Sequence, residues 1–336
     1  MAKAGFNTLG DRGKPAAVEQ GWIGCVKTTC PASWHRWEAE LLPAPFRPAA
    51  NPWLHGRVLF QQGPGRLSFT LCLNTSTIRP QPLLEKIRLV GEAGFDAIEL
   101  WINDLYEHVG QGGEIRDVET ALADHGLQVP CMIALRQWGE ASELEYPLML
   151  DEARRRMELA TRLGASYVVA TPPRDACPPS QLVDRFGELL SLGRTIGIEP
   201  TLEYISFYSS LTTLDQAIAI LDKLDDDNAT LVLDAFHSWN SDSTPGLLAE
   251  TAGHRISHYH VDDAALGMPA GEQTDPDRVM IGDGQIDLVA EIATLRSIGY
   301  QGMISLELFN RQLWQQDPRE VLSVGIERLR ELVEYA

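Results

Sequence analysis

Five glycines set the frame of this chain. Gly94, Gly126, Gly164, Gly197 and Gly299 each close a helix-like stretch and open a β-like one, in AGFDAIEL, HGLQVP, LGASYVVA, IGIEPTLE and IGYQGMISLE. The residue after a helix often takes a positive φ, where a Cβ would clash, so glycine suits that place. Successive joints lie 32, 38 and 33 residues apart, and the last interval, 102, is three times 34. One strand with its returning helix needs a unit of that size. The pattern predicts strands at Leu67–Leu73, Ala97–Trp101, Val129–Ile133, Tyr167–Ala170, Pro200–Glu203, Thr230–Leu233, Ile256–His260 and Met303–Leu308. Thr213 with Gln216 predicts a capping box ahead of the stripe Ala217, Ile220, Leu221 and Leu224, and Asp317-Pro318 predicts another helix start. Eight such units predict an α/β fold, a closed parallel (β/α)8 TIM barrel. An open doubly wound sheet is the alternative, weakened because no glycine-rich phosphate loop follows the first strand.

The pattern begins at residue 67. Residues 1–66 carry eight basic and four acidic side chains, a charge of +4, which leaves −23 of the total −19 on residues 67–336. This first segment, expected to be an irregular N-terminal extension, holds seven prolines and four tryptophans (Trp22, Trp34, Trp37 and Trp53). Those tryptophans suit a docking arm or a contact in a homo-oligomer, while base rates favour a plain appendage. Cys25, Cys30 and His35 do not have zinc-ligand spacing, and the chain's five scattered cysteines suit a reduced, cytoplasmic setting. An acidic barrel repels phosphodiester backbones and anionic bilayers, so neither nucleic acid nor membrane is an expected partner.

Barrel chemistry is carried at the carboxyl ends of the strands. Strands five to eight end in TLEYI, LVLDAFH, SHYHVDD and SLELFN, which set Glu203, Asp234, His260 and Glu307 around one half of the rim. Three carboxylates and an imidazole can hold one divalent cation such as Mn2+, Zn2+ or Co2+. A set of ordinary salt bridges is the plainer alternative. His237, three after Asp234, and Arg278, in TDPDRVMIGDGQID, are candidate substrate contacts, as is Glu99 at the end of strand two. His258 points the same way as His260, one layer deeper. Trp101, Phe236 and Trp239 read as cavity walls.

From residue 67 onward, and most densely over LEYI, LVLDAFH, YHVDD, TDPDRV with GDGQIDL, and SLELF, the sequence resembles the xylose-isomerase-like barrel family of sugar isomerases and epimerases, in particular its inosose-isomerase branch. The resemblance implies that Glu203, Asp234, His260 and Glu307 hold one metal and that Glu203 and Glu307 are also the acid/base pair. It further implies that His237 and Arg278 meet the substrate. The implied reaction moves the carbonyl of a cyclic ketopolyol by proton transfer through an enediolate, within inositol or other carbohydrate metabolism, with no nucleotide cofactor.

Other activities share this scaffold. An inosose or 3-dehydroshikimate dehydratase would use the same enolate step and then expel a hydroxyl. Ketose 3-epimerases of this type carry a further glutamate six residues beyond the strand-five ligand, where this chain has Ser209. An abasic-site endonuclease would need more histidines and a basic face. A barrel that binds a polyol without turnover is the non-enzymatic alternative.

Overall fold

The computed structural model describes residues 69–336. The expected extension over residues 1–66, with its tryptophans and cysteines, therefore lies outside the described residues, as do the first two residues of the first expected strand.

Eight parallel strands close into a barrel in the order β1-β10-β7-β6-β5-β4-β3-β2. They are β1 (Thr70–Asn74), β2 (Ala97–Trp101), β3 (Cys131–Leu135), β4 (Tyr167–Ala170), β5 (Glu199–Leu202), β6 (Thr230–Asp234), β7 (Ile256–Val261) and β10 (Met303–Leu306). All eight expected strands are present. The third starts two residues later than expected, because Pro130 has no N–H to donate and the regular ladder begins after it. The last is shorter, yet the Glu307 N–H still donates to the Val261 carbonyl at 3.2 Å. One element was not foreseen. Asp263–Ala264 (β8) and Arg278–Val279 (β9) form a small antiparallel pair within a segment read as loop.

Helices fill the gaps as the glycine joints require. Leu83–Ala93 ends at Gly94 with φ +86°, and Pro179–Ile196 ends at Gly197 with φ +92°. Thr213 caps Leu214–Lys223 by accepting from the Gln216 N–H at 3.2 Å. The return bond goes one residue earlier than a capping box would have it, from the Thr212 N–H to Gln216 Oε1 at 2.6 Å. Asp317 caps the final helix, Pro318–Tyr335, as expected.

Alternation along the strands sorts side chains into two layers. Outward-facing Leu, Ile and Val pack under the helices in one continuous core that includes Leu73, Ile98, Leu100, Val168, Leu231 and Ile304. Inward-facing Cys72, Ala97, Cys131, Val169, Val232 and Met303 form a second, small apolar plug inside the barrel. Along β7 the switch is residue by residue. His258 and His260 turn inward, while the Tyr259 hydroxyl reaches outward to donate to Glu291 on helix Leu288–Ser297 at 2.6 Å. The buried polar residues Asn74, Glu99, Asp234, His258, His260, Ser305 and Glu307 therefore form a polar layer at the carboxyl end of the barrel.

Candidate metal centre

Three side chains from neighbouring strand ends converge. One ligand atom each from Asp234, His260 and Glu307 lies within 4.8 Å of the others, and all three residues are buried. His260 Nδ1 is 3.2 Å from Glu307 Oε2 and 3.8 Å from Asp234 Oδ2, yet it has no hydrogen-bond partner. An orphaned imidazole nitrogen facing two carboxylates is the donor set of a divalent cation, so these residues fit the expected ion.

The opposite side of the His260 ring explains its orientation. Nε2 lies 2.9 Å from Glu99 Oε2, and His258 Nε2 lies 3.2 Å from Glu99 Oε1. Glu99 in turn accepts from Asn74 Nδ2 at 2.9 Å and Ser305 Oγ at 3.0 Å. A carboxylate that accepts Nε2–H fixes the tautomer whose Nδ1 lone pair faces outward. Burial alone would raise the Glu99 pKa, but His260 and His258 outweigh it and hold the carboxyl well below its ordinary range. Sequence reading placed Glu99 against substrate. The structure places it fully buried beneath His260, on the same inward side of the pleat but a layer deeper than a cavity contact.

Asp234 serves two purposes. Its Oδ1 caps the short helix Ala235–Trp239 by accepting from the His237 N–H at 2.7 Å, and its Oδ2 accepts from Arg278 Nη1 at 2.9 Å. Burial works against the Asp234 charge, but Arg278, His237 and His260 prevail and hold its pKa at about 2. The Arg278 guanidinium is itself 1% exposed, stacked 4.8 Å from the Phe236 ring and bonded to Asp262. Sequence reading missed Asp262. The doubled acid after β7 (HVDD) was the available signal, since alternation carried on past the strand turns one of two successive side chains inward.

His237 turns Nε2 to Arg278 Nη2 at 2.9 Å and Nδ1 to Ser206 Oγ at 3.1 Å. Because arginine only donates, Nε2 accepts and Nδ1–H donates to the serine. Burial, with Arg278 nearby, pulls the His237 pKa down to about 3, so the ring is neutral.

Glu203 stands apart from the trio of Asp234, His260 and Glu307. It lines the same cavity, bonded to Thr171, and Arg136 and His260 attract it. The structure thus gathers three of the four expected ligands around one point, with Glu203 at the end of β5, the strand beside β6. Burial raises Glu203 to about 7, aided by Asp234, and raises Glu307 to about 8, aided by Asp234 and Glu99. Two carboxyls therefore exchange protons near neutrality. The cavity is about 300 Å3, and Trp101, His237, Arg278 and Phe309 also line it.

Beside the cavity, Asp263 ties down the loop after β9. Its carboxylate accepts from the N–H groups of Gly282, Gly284 and Ile286 at 3.1, 3.1 and 2.9 Å. A Cβ on Gly284 would collide with that carboxylate and with the Ala264 carbonyl, which accounts for the glycine in GDGQID.

The fold and this rim define a barrel of the sugar isomerase and epimerase type. Residues 87–332 match the family described as Xylose isomerase-like TIM barrel, and the chain belongs to it. It is 28% identical over 272 residues to an inosose isomerase of Bacillus velezensis, covering 78% of this chain and 96% of the relative. It is 30% identical over 232 residues to a 3-dehydroshikimate dehydratase of Pseudomonas aeruginosa, covering 68% of this chain but 36% of that longer protein. Among solved structures, a 1.8 Å crystal structure of IolI protein with a bound zinc atom superposes with a TM-score of 0.75 at 28% identity, covering 80% of this chain and 99% of the other.

Proposed function

We propose that this protein is a divalent-metal-dependent isomerase that moves the carbonyl of a cyclic ketopolyol of the inosose type, or of a related sugar, by proton transfer. The observation that carries the reading is the convergence of Asp234, His260 and Glu307 at a cavity that Glu203 and Glu307 line. One cation such as Mn2+, Zn2+ or Co2+, held by the trio with Glu203, would supply Lewis-acid stabilisation of negative charge on the substrate oxygen.

The protein's own groups handle the proton. Moving a carbonyl to its neighbour requires loss of a proton α to the ketone and its return at the next carbon. With the cation loaded both carboxyls are ionised; through oxygens left free of it, one would take the proton from the carbon and the other, protonated in exchange, would return it at the next carbon. Neutral His237 and the buried Arg278 orient the substrate oxygens, and Glu99 positions His260. The closed interior of the barrel keeps water from these carboxyls, which is what lifts their pKa values. Residues 1–66 are proposed as an extension outside this catalytic unit, and the protein as cytoplasmic; no described helix is long and apolar enough to cross a membrane.

Dehydration is the second reading, favoured by the dehydratase relative. Incubation with inosose and Mn2+, followed by mass spectrometry, separates the two. Isomerisation conserves mass, whereas dehydration loses one water. Unchanged substrate under every metal tested would reject both readings.

A further inference from the structure

The cavity has a second wall that the proton chemistry does not use. Ser76 and Arg79 follow β1, Trp101 ends β2, Arg136 follows β3 and Arg174 follows β4, and all five line the cavity. The Arg79 guanidinium sits 5.6 Å from the Trp101 ring centre and that of Arg136 sits 5.4 Å from it. The two cations are thus no more than about 11 Å apart, close to the ~8 Å screening length of physiological salt. Arg174 lies 5.3 Å from the Tyr208 ring.

These three arginines differ from many others in the chain. Arg154, Arg156, Arg194 and Arg328 each hold a carboxylate at 2.6–2.7 Å. Lys86, also at the cavity, is committed to Asp104 at 2.6 Å. Among the described residues, Arg79, Arg136 and Arg174 have aromatic faces and no carboxylate within ion-pair distance, although Arg136 attracts Glu203 and Arg174 donates to the Tyr208 hydroxyl near Asp275. An aromatic face orients a guanidinium but leaves its N–H fork available.

We propose that the substrate carries a carboxylate, gripped by Arg79 and Arg136 beside Trp101 with Arg174 across the mouth, while its ketone faces Glu203 and Glu307. The inference rests on the metal-assisted proton transfer proposed above and replaces its neutral ring with a hydroxylated oxo acid. A neutral polyol presents donors and acceptors alike and gains nothing from three cations that can only donate. A planar carboxylate matches the guanidinium fork with two parallel bonds. Glu203, Asp275 and Glu307, which also line the cavity, repel the same anion, so Arg79 and Arg136 beside Trp101 are the end of the cavity suited to it.

The test is calorimetric binding to the full-length protein with Mn2+ present, using quinate (a polyhydroxylated ring carboxylate), myo-inositol and glucose 6-phosphate as probes. Quinate is expected to bind at least about tenfold more tightly than myo-inositol, and more weakly as salt rises. R79A and R136A should each weaken quinate about tenfold or more and leave myo-inositol within about twofold, with R136K recovering part of the loss. Equal affinity for quinate and myo-inositol, equal losses for both probes in the variants, or tightest binding of the phosphate ester would each overturn the assignment. Mn2+ uptake measured in the same samples separates the two ideas. Normal uptake without quinate selectivity defeats the carboxylate alone, and selectivity without uptake defeats the metal reading alone.

Discussion

The two halves of the barrel rim are built from opposite materials. The ends of β5, β6, β7 and β10 present Glu203, Asp234, His260 and Glu307, which are buried and crowded with negative charge. The ends of β1 to β4 lead to Arg79, Trp101, Arg136 and Arg174, which are cationic, aromatic and reach the mouth. Both halves share one backbone plan, a strand handing over to a loop. The difference lies in where each charge is held. The acids sit at the strand ends or one residue past them, where burial raises Glu203 and Glu307 toward neutrality. The arginines sit on the loops that follow the strands, with their guanidinium groups at the cavity. One half is suited to reaction and the other to selection.

The sharpest way to break this division is to neutralise the acidic half. Glu203→Gln and Glu307→Gln should each lower turnover by about 10^3-fold or more while substrate still binds; steady-state rates alongside calorimetry check it, and a near-normal rate in either variant would contradict the reactive role of that half. Next in size is the support beneath. Glu99→Gln leaves the cavity lining intact but weakens the hold on His260 Nε2, so Mn2+ affinity should fall about 10- to 100-fold. Unchanged uptake, measured by electron paramagnetic resonance, would show that Glu99 is not a positioning residue.

Smaller is the pH effect on loading. Glu203 and Glu307 hold protons up to about 7 and about 8, and a cation must displace them. Mn2+ affinity should rise between about pH 6 and 8 and then level off, with proton release visible in buffers of different ionisation heat. A flat profile would place the ion elsewhere. The smallest effect lies outside the rim and serves as its control. Burial, partly relieved by the Tyr259 hydroxyl, raises Glu291 to about 7. The native state therefore binds more protons than the unfolded one between the ordinary glutamate value and about 7, and stability falls as pH rises through that window. Glu291→Gln should flatten this part of the melting profile by about a degree or two and leave Mn2+ uptake unchanged.

The acidic half was legible in the sequence because its residues end apolar runs, where a carboxylate has no cheap structural excuse. Four strand ends in a row reveal themselves without coordinates. The cationic half was not. Arg79, Arg136 and Arg174 lie in loops with no period, and nothing in their spacing shows that two of them share one indole. Glu99 marks a second limit. Alternation tells which side of a strand faces inward, and it did so for Glu99, but height along the barrel axis depends on the stagger between strands. A residue at a strand end can therefore lie below the cavity floor. Glu203 marks a third, since strand-end position predicted four ligands at one point and did not reveal that the Glu203 carboxyl bonds to Thr171.

Asp263 and the loop it anchors bear on how such barrels can be re-engineered. The aspartate and Gly284 are 21 residues apart, yet neither works without the other. A grafted GDGQID segment would arrive slack in a host lacking the acid, and a host keeping the acid would reject a bulkier insert. Transplants between scaffolds would have to carry both positions together, as a single cassette running from β8 through β9 and the loop that follows it.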